Sequence, residues 1–81
     1  MNDIKKIADE ADLIVNGYAF TKKQDAIYAL NLNNPEKATV FTIDGIVMET
    51  SMDDIEINIV LDYFKRNRKF MEGWYAEILR I

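Results

Sequence analysis

Six carboxylates, Asp44, Glu49, Asp53, Asp54, Glu56 and Asp62, fall within residues 44–62 with no lysine or arginine among them. Paired carboxylates can share general acid–base work, and clustered ones can hold a cation. Here the companions of such chemistry are missing. The chain has no histidine and no cysteine, which removes the commonest general base and the usual activated nucleophiles. The acids also lack the alternating spacing and distal glutamate of a calcium loop. Asp53 and Asp54 have a simpler duty at a helix start, where the dipole favours an anion by about 0.3–1 kcal/mol. Asp44, beside Gly45, is first of all a turn residue. The expectation is a protein that is not an enzyme and calls for no cofactor or metal. What the cluster could still do is present negative charge to a basic partner, as an inhibitor filling the phosphate groove of a nucleic-acid enzyme would.

Lys65, Arg66, Arg68 and Lys69 follow, flanked by Tyr63, Phe64, Phe70, Trp74 and Tyr75. Bases interleaved with aromatics are the composition of a surface that stacks on nucleic acid. At helical spacing the charges scatter: Lys65 and Lys69 fall together, Arg66 lies beside the apolar side and Arg68 lies elsewhere. Cations in the last turns of a helix also complement its dipole without any ligand. Binding of nucleic acid through residues 65–69 is therefore the second alternative to a protein contact.

The charge balance follows this division. Residues 1–64 carry 12 acids and 5 bases, a balance of −7, whereas residues 65–81 carry 2 acids and 5 bases, a balance of +3. With 81 residues in all and no cysteine to cross-link them, the chain makes a single domain over 1–81 whose core or partner must supply its stability. Hydrophobic residues make up 49% of it, enough to build that core. No apolar run approaches the roughly 20 residues of a membrane span, and the first residues are too polar for a signal peptide. The cytoplasm is the expected location.

The elements that would position these side chains read as α+β. Ile4, Ile7, Ala8, Ala11 and Ile14 recur at helical spacing after Asn2, a candidate cap, and Gly17 would end that helix. The competing reading makes Asn16-Gly17 a hairpin turn between LIV and YAF. From Tyr18 to Thr50, alternating segments separated by polar turns predict antiparallel strands. Asp44-Gly45 predicts a two-residue hairpin, setting Ile43 opposite Ile46, Phe41 opposite Met48 and Thr39 opposite Thr50. A loop at 34–37 sets Leu32 opposite Thr39, Leu30 opposite Phe41 and Tyr28 opposite Ile43. Tyr28, Leu30, Leu32, Phe41, Ile43, Ile46 and Met48 would then share the face that the helices cover.

Residues 51–73 alternate like a strand in the middle but run from acid to base and close on Gly73, which favours a helix. Ser51 with Asp54 resembles a capping box. The predicted fold is a small two-layer α+β domain of order αββββα: a three- or four-stranded antiparallel sheet with helices near 2–15 and 52–72. On the helical wheel Ile55, Ile59, Tyr63 and Phe70 share one side, with Val60, Phe64 and Met71 next to them. The apolar arc, continuing to Ile57 and Leu61, is wider than the stripe of a helix packed on one side only.

The run NLNNPEKATVFTIDGIVMETSMDDIEINIVLDYFKRNRKFM, through NPEKA, the DG turn and SMDDIEI, resembles a family of short bacterial proteins of unknown function. It covers about half the chain and brings no activity or site with it. The residues themselves point to a non-enzymatic protein-interaction module that self-associates as a homodimer. Its contact residues are expected to be Ile57 and Leu61 on the long helix and Trp74, Tyr75, Ile78 and Leu79 beyond it, since aromatic and apolar anchors dominate interfaces.

Overall fold

In the computed structural model, residues 4–68 are described. A short helix α1 (Ile4–Glu10) precedes five strands, β1 (Leu13–Val15), β2 (Tyr18–Lys23), β3 (Ala26–Asn31), β4 (Ala38–Thr42) and β5 (Val47–Thr50), and a second helix α2 (Asp54–Asn67). The strands form one antiparallel sheet in the order β1-β2-β3-β4-β5. The α+β class, with a helix at either end of an antiparallel sheet, is the one the sequence predicts. A fifth strand is added by LIV, which the helical reading had absorbed. Asn16 and Gly17 take φ 49° and 84°, the pair of positive angles that a two-residue hairpin turn between right-twisted strands requires. That turn outweighs the helical spacing upstream, and α1 stops at Glu10. A Cβ at Gly17 would lie 2.8 Å from Asn33 Nδ2, the movable end of an exposed side chain, so the positive φ is what favours glycine there.

The β3–β4 register differs from expectation by three residues: Ile27 opposes Phe41, Tyr28 opposes Val40 and Leu30 opposes Ala38. The cause is Asn31, whose Oδ1 accepts hydrogen bonds from the Asn33 and Asn34 amides at 2.9 and 3.1 Å. The chain therefore turns at Asn31, ahead of the proline loop. An odd shift exchanges faces, so Tyr28 and Leu30 leave the side that carries Phe41.

At the β4–β5 hairpin the turn is a residue longer than predicted. Gly45 has φ 87° while Asp44 has no positive φ, which excludes the two-residue form. Gly45 N–H donates to Thr42 O and Thr42 N–H donates to Ile46 O, each at 2.9 Å, closing a three-residue loop with glycine in the left-handed position. Phe41 consequently faces Val47 in place of Met48. A bulge then accommodates Met48 as the extra residue, and Thr39 meets Thr50 as predicted, their hydroxyls 2.6 Å apart.

The core lies between the sheet and α2. Phe20, Ile27, Ala29 and Phe41 project toward Met52, Val60 and Phe64, all buried. The Phe64 ring meets Phe41 edge-on at 4.9 Å and stacks near Phe20 at 6.4 Å between centroids. The helices do not share this face. Ile7 and Glu10 of α1 line a small concavity with Thr21, Lys23 and Tyr28, which strand alternation places on the opposite side. Ala19 and Leu30, on that side too, are fully buried.

Phe64 joins the two aromatic contacts, so Phe64→Ala should cost about 3–5 kcal/mol. Urea titration followed by circular dichroism checks this; a loss below about 1.5 kcal/mol, as for a volume-conserving change, would show that the cluster does not hold α2 on the sheet.

Candidate interaction surface

The surface of interest is built on α2, and its start fixes how the helix is turned. Asp53 is the N-cap, in an extended conformation (φ −79°, ψ 173°). Its Oδ1 accepts the Glu56 amide at 2.8 Å. The cap therefore lies two residues beyond Ser51, the residue the sequence suggests. Ser51 instead joins two strands, its Oγ donating to Glu36 O at 2.7 Å and accepting from the Ala38 amide at 2.9 Å. Glu56 does not close a capping box with its side chain. Its Oε2 reaches the sheet and accepts from Tyr18 Oη and Asn31 Nδ2, both at 2.8 Å. Burial, with help from the hydrogen bond to Glu56 and its charge, pushes the Tyr18 phenol up to about 12. Tyr18 thus remains a donor at any ordinary pH, and the cluster serves as a tie between helix and sheet. Its ring also meets Tyr63 at 5.9 Å.

The remaining acids are distributed over the fold. Asp44 lies in the β4–β5 loop, Asp54 in the first turn of α2, and Asp62 pairs with Arg66 at 3.1 Å, one turn apart. Glu49 borders an open groove of about 500 Å³ with Tyr28, Ala38, Val40, Thr50 and Ser51. Among the described residues, no group of three or more aspartates or glutamates is placed to hold a metal ion. Lys65 and Arg66 stand exposed in the last turn; Lys69 lies outside the described residues.

The apolar side chains of α2 divide differently from the wheel's expectation. Val60 and Phe64 point inward. Ile57 and Leu61 are half-buried and pack against the core, as does Tyr63. Ile55 and Ile59, grouped on the wheel with Tyr63, face out with 74% and 40% of their surface exposed. The inward direction is set by the Phe20–Phe64–Phe41 contacts. At 100° per residue, Ile55 then falls opposite Phe64. The surplus width of the apolar arc is thus real, and it lies at Ile55 and Ile59. Trp74, Tyr75, Ile78 and Leu79 fall outside the described residues. Ile14, Ile46 and Met48 are also exposed.

These features define a small α+β domain whose long helix is sealed to the sheet on one side and carries isoleucines on the other. The chain belongs to a family of unknown function, DUF7723, whose model matches residues 1–71. The resemblance read from the NPEKA, DG and SMDDIEI elements agrees with this membership. Comparison with curated proteins and with solved structures gives no match. No helix among the described residues is long and apolar enough to cross a membrane.

The tie has a pH signature. Tyr18 holds its proton more tightly folded than unfolded, so its contribution is complete below pH 10 and is lost as pH rises toward about 12. Tyr18→Phe should be less stable than wild type at pH 8, with the gap closing between pH 10 and 12. A gap that stays constant across that window, measured by urea titration, would mean that the Tyr18 proton is not held by Glu56.

Proposed function

We propose that this protein is a non-enzymatic interaction module of the bacterial cytoplasm that acts by associating with a second copy of itself. The observation that carries this reading is the pair Ile55 and Ile59, one turn apart and exposed on a helix whose other side is already packed. Fully burying an exposed isoleucine contributes about 1.5–3 kcal/mol, and less for Ile59, which is 40% exposed; a contact that covers the pair in two copies gains from four such side chains. In an acidic protein of net charge −4, this is where association gains most. Ile57 and Leu61 form the inner margin of the contact, already anchored in the core. The sequence assigns Trp74, Tyr75, Ile78 and Leu79 to the same contact as aromatic and aliphatic anchors.

The test is the mass in solution as a function of concentration, by light scattering or sedimentation equilibrium. Wild type should rise toward twice the monomer mass, and Ile55→Asp/Ile59→Asp should remain monomeric with unchanged circular dichroism. A wild type that stays monomeric up to millimolar concentration would overturn the proposal. Trp74 is the sole tryptophan, so its emission should move to the blue as the dimer forms. An unchanged spectrum would confine the contact to α2.

A further inference from the structure

We infer that Asn16 is a site of spontaneous deamidation that acts as a latch on β1: the closed hairpin shields it, and conversion while β1 is open keeps the strand from closing again. The Gly17 nitrogen bonds to the Asn16 side-chain carbonyl carbon, Cγ. Its proton departs with the side-chain nitrogen as ammonia, and a five-membered succinimide ring remains. Water then opens the ring at one of its two carbonyls, giving aspartate or isoaspartate. Glycine as the following residue leaves the attacking nitrogen unhindered, and no oxidant or catalyst is required.

Among the described asparagines the structure singles out this one, because the attacking amide must not be engaged elsewhere. The amide after Asn31 donates to Gly17 O at 2.8 Å, and the amide after Asn33 donates to Asn31 O at 3.1 Å. Asn34 is followed by Pro35, which has no N–H. The amides after Asn58 and Asn67 belong to α2 and its C-cap, where the helix ladder holds them. The Gly17 amide has no acceptor among the described residues, and Asn16 is exposed. The related step at Asp44-Gly45 is withheld, since Gly45 N–H donates to Thr42 O at 2.9 Å.

The closed turn still keeps the reacting atoms apart. Positive φ at both Asn16 and Gly17 belongs to a primed turn, whose first residue has ψ of about 30°. At that angle the Gly17 nitrogen points away from the Asn16 side chain across the Cα–C bond, so the ring closes only after this bond rotates. The Leu32 amide holds Gly17 O, which puts the hinge on the Asn16 side, and rotation there lifts β1 from the sheet. A three-residue edge strand is the kind of segment that opens locally. Its far end is held by Asp12, whose N–H donates to Phe20 O at 2.9 Å and whose Oδ2 accepts the Lys22 amide at 2.7 Å. Isoaspartate adds a methylene to the main chain, and the two-residue turn then no longer fits between Val15 and Tyr18. Leu13 and Val15 leave the core they pack against, and the six-residue β2 becomes the edge.

The test follows the full chain in mildly alkaline buffer by peptide mapping and mass spectrometry. Amide-to-acid conversion should occur at Asn16 and at no other described asparagine, more slowly than in the urea-unfolded chain. Asp12→Ala, with unchanged circular dichroism, should speed it about tenfold by removing a charged hydrogen-bond acceptor. Asn16→Gly keeps a pair suited to the turn and should show neither conversion nor loss of β1. In the isoaspartate fraction, separated by chromatography, hydrogen exchange should show β1 unprotected while α2 stays protected. Asn16 left intact in the folded protein while it converts in urea would show that β1 does not open. An unchanged rate in Asp12→Ala would show that β1 does not gate the reaction, and an isoaspartate form with β1 still protected would show that it is no latch. Any of these three results overturns the inference.

Discussion

The position of Phe64 between Phe20 and Phe41 is the contact on which the rest of this domain depends. A five-stranded sheet in so short a chain needs one face covered, and within the described residues α2 covers it with few large groups. Met52 leads into the helix, Val60 and Phe64 face the sheet, and Ile57, Leu61 and Tyr63 close the sides. Interlocked aromatic rings contribute about 0.5–1.5 kcal/mol per pair beyond the area they bury. They also fix direction, which a uniform aliphatic stripe does less well. Once Phe64 points inward, helical geometry leaves no freedom over what points outward.

That rotation is held at the other end by polar chemistry. Glu56 accepts from Tyr18 and Asn31 through one oxygen, and hydrogen bonds to a charged acceptor contribute about 1.5–3 kcal/mol. Asn31 spends its other polar atom, Oδ1, on the turn that follows it. The residue that sets the β3–β4 register therefore also receives the start of α2. Sheet register and helix rotation are thus coupled through a single side chain. The exposure of Ile55 follows from that coupling and is not an independent surface feature.

Much of this was legible in the chain. The α+β class, the strand alternation, the long helix and the acid-to-base order follow from patterns local to each segment. Details that depended on which local rule prevails were less accessible. Asn31 in a strand gives no sign that its side chain will bend the chain early, and the three-residue shift it causes moved Tyr28 and Leu30 to the other face. Asp44-Gly45 suits either a two-residue or a three-residue hairpin. Composition alone does not choose, and the Met48 bulge that restores Thr39 to Thr50 leaves no sequence mark. Helical spacing across LIV was a coincidence that Asn16-Gly17 outweighed. On α2 the breadth of the apolar arc was readable, but its inward direction was not. It depends on Phe20 and Phe41, more than twenty positions away.

The exposed apolar groups are not equivalent as contact sites. Ile46 precedes β5 and Met48 lies within it, an edge strand of the described sheet, where an incoming strand would need a straight run of free backbone groups. The bulge at Met48 breaks that run and twists the edge, a common way of preventing edge-to-edge pairing. The other edge, β1, is only three residues long, too short to template much. The described sheet thus has protection at both edges, while α2 has no comparable device at Ile55 and Ile59. Its neighbours there, Asp62 and Arg66, already satisfy each other within the helix. Exposed charges of both signs can exchange partners at little cost, whereas isoleucines in water gain only by being covered.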